Sequence, residues 1–401
     1  MPLVDLETTL TEQERAMRDT THRFAEEVMR PAGVALDRLA EPADVTKPDS
    51  VLWDVFKKYW DLDLSVLDVG TSELSLLENA RMHFLINEEL GWGDSGLAIS
   101  LGLNGFHRLF AQMSGRPELI ERFGRPDNRD IGCWAITEPD HGSDCLMVSE
   151  RHFNDPKLKA NCIGRRDGDD YVISGQKSAW LSNGTIAQVA TLFCTIEPEQ
   201  GFKGGGVCLV PLDLPGVSRG KPLDKLGQRA LNQGEIFFDD VRVPAEYMVI
   251  GADSYAMVVE MVLTMANAAM GSLFVGLARA ALEHALAYAK ERVQGGVPIF
   301  EHQSVKARLF KMFTQVEAAR SLAWRVMLYN TVNPPEVQYS IASKVFCTNA
   351  AFEVASGALQ IFGGNGLSRE YPIEKLVRDA RASMIEDGCN DMLSLVGASK
   401  L

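Results

Sequence analysis

The chain has 401 residues, 46% of them hydrophobic and 23% charged, which suits two or three globular cores and shows no long biased tract. A formal net charge of −14 argues against nucleic acid or an anionic membrane as the main partner, while leaving room for a local basic pocket. The seven cysteines (Cys133, Cys145, Cys162, Cys194, Cys208, Cys347 and Cys389) form no C-x-x-C pair and no metal-type spacing, which predicts reduced thiols in a cytoplasmic protein.

The N-terminal stretch MPLVDLETTLTEQERAM carries acids and no apolar core segment, so no signal peptide is expected. Thr11-Glu12-Gln13-Glu14 has the capping-box pattern, and apolar residues then recur at helical spacing toward Leu39. Pro42 and Pro48 bracket a loop. Further helices are expected over 50–60, 73–91 and 95–113, the last closing near Gly115-Arg116-Pro117. Residues 1–130 thus read as an N-terminal helical domain.

The texture changes at about 131. Short apolar or alternating runs (IGCWAIT, YVISG, QVATLFCTIE, GGVCLVPLDL, GEIFFDDVRVP) are separated by turn residues, and Asp167-Gly168-Asp169-Asp170 signals a hairpin. This is a middle β domain over 131–245. The helical period then returns in a C-terminal domain, 246–401, with long patterns over 254–293, 302–331 and 336–362. The third stops at Gly363-Gly364-Asn365-Gly366, and a last helical segment leads into MIEDGCND, Met384 to Asp391. Met261 to Ala278 is uncharged over a length that could span a bilayer. Its Thr264, Asn267 and Ser272, and its continuation into an amphipathic pattern, favour a buried bundle helix.

Four separated motifs point to chemistry: TEPDHGSD (Thr137–Asp144), GQKSAWLSN (Gly175–Asn183), Arg292 with Gln303 in RVQGGVPIFEHQ, and QIFGGNGLSREYPIEKLVRDAR (Gln360–Arg381). Together, in this order and over nearly the whole chain, they resemble the acyl-CoA dehydrogenase family. The resemblance implies an α+β fold with an N-terminal helical domain, a middle β-barrel or sandwich domain and a C-terminal four-helix bundle. It also implies FAD, an acyl-CoA thioester as substrate, electron-transfer flavoprotein as redox partner, and a homotetramer (a dimer of dimers) or heterotetramer. The implied reaction is α,β-dehydrogenation: a carboxylate removes the α-proton while the β-hydrogen leaves as hydride to the flavin. The thioester carbonyl must then be polarised by hydrogen bonds.

Carried over residue by residue, the resemblance places Trp134, Ile136 and Thr137 along the flavin, and Gly142 and Ser143 where backbone meets flavin and pantetheine. Small residues suit close backbone approach, and hydroxyls can bond the ring's polar edge. Trp180 and Ser182 match the aromatic and hydroxyl that cover the ring; alone, Trp180 would read as a core aromatic. Arg292 and Gln303 match the pair reaching the FAD pyrophosphate of a neighbouring subunit, where a planar guanidinium can hold phosphate bidentately. Gln360 and Gly364 match the segment over the adenosine half. Cys389 and Asp391, after the base, fall with the cofactor-binding residues.

This sequence also departs from the family pattern. Where a tyrosine, a glutamate and Gly-Thr are usual, it has Glu386, Asp387, Gly388 and Cys389. Asp387 is the aligned base, one methylene short, and misplacement by roughly 1 Å can cost about a hundredfold in rate. A shifted register would make Glu386 the base instead. Ala266 occupies the alternative base position on the long helix, while Asn267 and Thr264 replace residues toward CoA. An extra stretch, CLMVSERHFNDPKL, follows Asp144 and reads either as a lining of the substrate mouth or as a surface loop extension. His141 reads as solvent-facing, and Gly295 stands where an aromatic often packs on FAD.

Three functional readings follow. The first is an FAD-dependent acyl-CoA dehydrogenase acting on a branched, cyclic or functionalised acyl group. The second replaces CoA by a carrier-protein-bound acyl group, although Lys157, Lys159, Arg165 and Arg166 could form a shifted CoA pocket. The third is a non-catalytic partner subunit of a hetero-oligomeric dehydrogenase.

Overall fold

The computed structural model describes residues 9–64 and 74–401. The first eight residues of the signal-peptide argument, and position 73 of the expected helix over 73–91, lie outside the described residues. Helix α1 (Glu12–Phe24) begins at the expected capping box: Thr11 accepts from the Glu14 N–H, and the Glu14 carboxylate accepts from the Thr11 N–H. It continues through a π-helical turn into α2 (Arg30–Asp37), followed by α3 (Val51–Asp61) and α4 (Leu76–Gly93). The helix expected over 95–113 is two helices, α5 (Ser95–Leu103) and α6 (Phe106–Met113). The break has a cause: the Asn104 carbonyl leaves the helix to accept from Gly132 N–H at 2.8 Å. A short α7 (Pro117–Leu119) closes this part.

The middle region holds β1 (Gly132–Ala135), β2 (Ile163–Asp167), β3 (Asp170–Lys177), β4 (Val189–Thr195), β5 (Gly205–Pro211), β6 (Val217–Arg219), β7 (Ile236–Pro244) and β8 (Met248–Ile250). Their order is β6-β7-β3-β2-β4-β5-β8, with β1 parallel to β4. The β2–β3 hairpin forms where expected, turning at Gly168 with φ 63°. β2 meets β4 through the single pair Ile163–Thr195, and the two halves of the sheet share one core that includes Ile173, Phe238, Leu192 and Val210. The sheet runs on past residue 245, because β8 pairs with β5.

Helix α8 (Ala252–Glu291) is followed by a small hairpin of β9 (Val293–Gln294) and β10 (Val297–Pro298), then α9 (Gln303–Val332), α10 (Val337–Phe362), α11 (Ile373–Ser383) and α12 (Asn390–Ala398). The apolar run Met261–Ala278 lies inside α8, largely buried within the protein. Two glycines let α4 and α8 touch backbone to backbone. A Cβ on Gly91 or Gly276 would stand 1.9 Å from the carbonyl oxygen of Leu273 or Glu88. All seven cysteines are free thiols, six of them buried.

Candidate active site

Three segments converge at the junction of the sheet and the C-terminal helices. The first is the loop after β1. Its Glu138 is buried and pairs with the buried Lys177 at the end of β3 (2.7 Å), while Lys177 also donates to the Ile136 carbonyl. Glu138 further accepts from the N–H groups of Asn161 and Cys162. The pair locks the first two motifs together, and Ser178 N–H donates to the Thr137 carbonyl at 2.9 Å. Thr137 is half-buried, and its hydroxyl has no protein partner among the described residues. Trp134 packs against Phe106 and Phe193, with a buried indole N–H that is likewise unpartnered.

The second segment is the turn between α11 and α12. Asp387 and Gly388 are both left-handed (φ 51° and 91°). Their N–H groups have no protein acceptor among the described residues, so two donors sit side by side as in an anion-binding nest. Lys344, wholly buried on α10, clamps the turn by donating to the Gly388 carbonyl (2.7 Å) and Asn390 Oδ1 (2.8 Å). Cys389 N–H donates to Ser143 Oγ at 3.0 Å, joining this turn to the first loop. Asp387 is half-exposed, with no hydrogen bond to its carboxylate among the described residues. Burial raises its pKa, and the Lys344 charge opposes the rise. Burial and the Asp387 charge push Glu386 up to about 7, while burial pulls Lys344 down to about 8.

The third segment is the loop from Lys221 to Glu235, which straps the other two. Gln228 is buried in a left-handed conformation (φ 49°) and donates from Nε2 to Glu386 Oε1 at 2.7 Å. Its backbone N–H donates to Asp379, which pairs with Lys375 and through it with Asp94 at the start of α5. From the same loop, Gln233 donates to the Trp180 carbonyl (3.0 Å) and to Ser182 Oγ (3.2 Å). Lys225 donates to Gln233 Oε1 and the Leu231 carbonyl.

The remaining expected residues lie elsewhere. Arg292, Gln303, Gln360 and Gly364 are exposed on the helix ends at the far end of the bundle, and Gln360 stands roughly 24 Å along α10 from Lys344 by helical rise. Asp391 is exposed on the first turn of α12. His141 is not solvent-facing: it bonds Asp144 (2.8 Å) and packs edge-on against Phe202. The extra stretch lies partly at the surface but is anchored from beneath. Its Leu146, Met147 and Phe153 are buried, and Phe153 stacks between Phe202 and Tyr255 of α8. Thr264 and Asn267 bond back to carbonyls of their own helix. Sequence reasoning missed Gln228, Lys344 and the Lys177–Glu138 pair. Only Lys344 leaves a signal, as a lysine among the buried positions Ser340, Ser343, Cys347 and Ala351 of α10.

The set fits a flavin ring: Trp180 is 60% exposed as a flat aromatic face, Ser182 and Thr137 offer hydroxyls, and Trp134 holds an unused N–H. The Asp387 turn is tied to this part of the molecule through Cys389 N–H and Ser143 Oγ. Known proteins agree. The model of the acyl-CoA dehydrogenase middle domain matches residues 133–241, and that of the C-terminal domain matches 256–401. The short-chain specific acyl-CoA dehydrogenase of Rattus norvegicus mitochondria is 30% identical, over 98% of this chain and 90% of its own. Benzylmalonyl-CoA dehydrogenase of Aromatoleum aromaticum is 30% identical, over 98% of both chains. The structure of butyryl-CoA dehydrogenase from Megasphaera elsdenii superposes with a TM-score of 0.85 at 25% identity, over 98% of this chain and 99% of that one. The chain belongs to the acyl-CoA dehydrogenase family, oxidoreductases of the CH–CH bond of acyl-CoA thioesters.

Proposed function

We propose that the protein binds FAD and dehydrogenates a branched, cyclic or functionalised acyl-CoA to the enoyl-CoA, with Asp387 as the base. The observation that carries this reading is the Asp387 turn: a carboxylate that, among the described residues, has no hydrogen-bond partner, beside two N–H groups likewise unpartnered there, in a backbone fixed by Lys344 and Ser143. Asp387 takes the α-proton onto its carboxylate. The N–H groups of Asp387 and Gly388 can hydrogen-bond the thioester oxygen as negative charge develops on it. Bound FAD would supply the acceptor for the β-hydrogen; Trp180, Ser182 and Thr137 would hold and orient its ring, and Trp134 would form part of the wall behind it. An electron-transfer flavoprotein then takes the electrons, and the working form is a tetramer in which Arg292, Gln303, Gln360 and Gly364 serve a neighbour's cofactor. The benzylmalonyl-CoA relative supports the unusual acyl group.

The test is anaerobic titration of the purified flavoprotein with a panel of acyl-CoA thioesters. At least one should bleach the flavin. Asp387→Asn should abolish bleaching while Glu386→Gln retains it; the reverse result would transfer the base role to Glu386.

A further inference from the structure

We propose that Glu386, held by Gln228, reads the acyl group and selects one that carries a hydroxyl or similar hydrogen-bonding group next to the reacting carbons. The inference rests on the dehydrogenase reading above and deepens it. Glu386 directly precedes the base and shares its turn. One of its oxygens is fixed by Gln228 Nε2 at 2.7 Å, and the other has no protein partner among the described residues. Glu386 is half-buried, the charge of the adjacent Asp387 acts on it, and Lys344 and Lys225 are the cations acting on it from α10 and the strap loop; Cys389 lies on the same turn.

The holder is itself built. Gln228 is 2% exposed and keeps a left-handed backbone although it is not glycine. Such a conformation persists where the surroundings over-determine it, which is common in functional sites. Here the Asp379 side chain fixes its backbone N–H, and that aspartate is anchored by Lys375 and Asp94. The strain ends in one hydrogen bond, to Glu386.

A carboxyl group pushed up to about 7 can donate as well as accept near neutral pH. A plain alkyl chain pressed against it leaves its free oxygen buried and unpaired. A hydroxyl on the carbon next to the α,β pair satisfies it. A site built to hydrogen-bond a substrate hydroxyl discriminates strongly against the analogue that lacks it, because its own polar groups are then stranded.

The experiment compares kcat/KM for 4-hydroxybutyryl-CoA and butyryl-CoA, with the flavoprotein and an artificial electron acceptor. The unaltered enzyme should favour the hydroxylated thioester at least tenfold. Glu386→Leu should erase or invert that preference, Gln228→Leu should weaken it, and Glu386→Gln, which still hydrogen-bonds, should keep most of it. Bound-flavin absorbance identifies folded variants; if Glu386→Leu does not hold flavin, Gln228→Leu carries the comparison. Equal rates, a preference for butyryl-CoA, or a preference unmoved by the folded leucine variant would overturn the proposal while leaving the dehydrogenase reading intact. Bleaching by neither these nor any other thioester would remove both.

Discussion

Asp387 shows how one residue's backbone and charge act together. Its backbone is left-handed, and Lys344, bonded to the carbonyl of the next residue, supplies the cation that acts on its carboxylate. Burial raises the carboxyl pKa above the ordinary aspartate range, so in the proposed role as base Asp387 would act only above that raised value. The rate of flavin reduction should therefore fall as pH drops through it, along an acid limb displaced upward from about 4. Burial and the Asp387 charge push the adjacent Glu386 up to about 7, so the limb belongs to the pair rather than to Asp387 alone. Lys344→Met removes the opposing cation and should move the limb to higher pH. Lys344→Arg keeps the charge and should restore much of the original profile. A stopped-flow pH profile of the three proteins checks this; a limb unmoved by Lys344→Met would reduce Lys344 to a packing role.

At the scale of elements, the loop after β1 depends on β3 through one buried ion pair. Lys177 donates to both Glu138 and the Ile136 carbonyl, and Glu138 accepts two backbone N–H groups. Removing one partner of a buried pair strands the other's charge, at a cost of about 3–5 kcal/mol. Lys177→Met should lower the urea midpoint accordingly and weaken flavin retention, since Thr137 loses its anchor; Lys177→Arg should recover part of both. Urea unfolding followed by tryptophan fluorescence, with flavin release read in parallel, measures the two effects. Elements of this kind were only partly legible. The long helices declare themselves because burial repeats every three to four residues, and Thr11 and Glu14 mark a start by local chemistry alone. The break at Asn104 is set by a strand that follows it, and no local signal encodes that. Gln228 and Glu386 are farther apart still, 158 positions in sequence. Neither the left-handed turn nor the pairing leaves a pattern in the chain. Thr137, Ser143, Ser182 and Asp387 each lie in a short stretch that the sequence singles out, and the structure adds the bonds that join those stretches, Cys389 N–H to Ser143 Oγ and Gln233 to Ser182 Oγ.

At the scale of the whole molecule, the proposed function divides the cofactor site between copies of the chain. The segments carrying Trp134, Thr137, Trp180, Ser182 and Asp387 meet at the sheet junction, whereas Arg292, Gln303, Gln360 and Gly364 sit exposed at the other end of the bundle. Roughly 24 Å along α10 separates Lys344 from Gln360, and the proposal assigns the second set to a site on another copy of the chain. A consequence separates this arrangement from one in which each chain completes its own site. Asp387→Asn and Arg292→Ala should each be inactive or nearly so as pure proteins, the first for lack of a base and the second for poor cofactor retention. Mixed by co-expression, they form heterodimeric pairs in which one site carries both defects and the other carries neither. Tandem affinity purification of the mixed species should then recover about half the flavin content and turnover of the unaltered enzyme per pair. A self-contained site gives no such rescue, because every site in the mixture keeps one lesion.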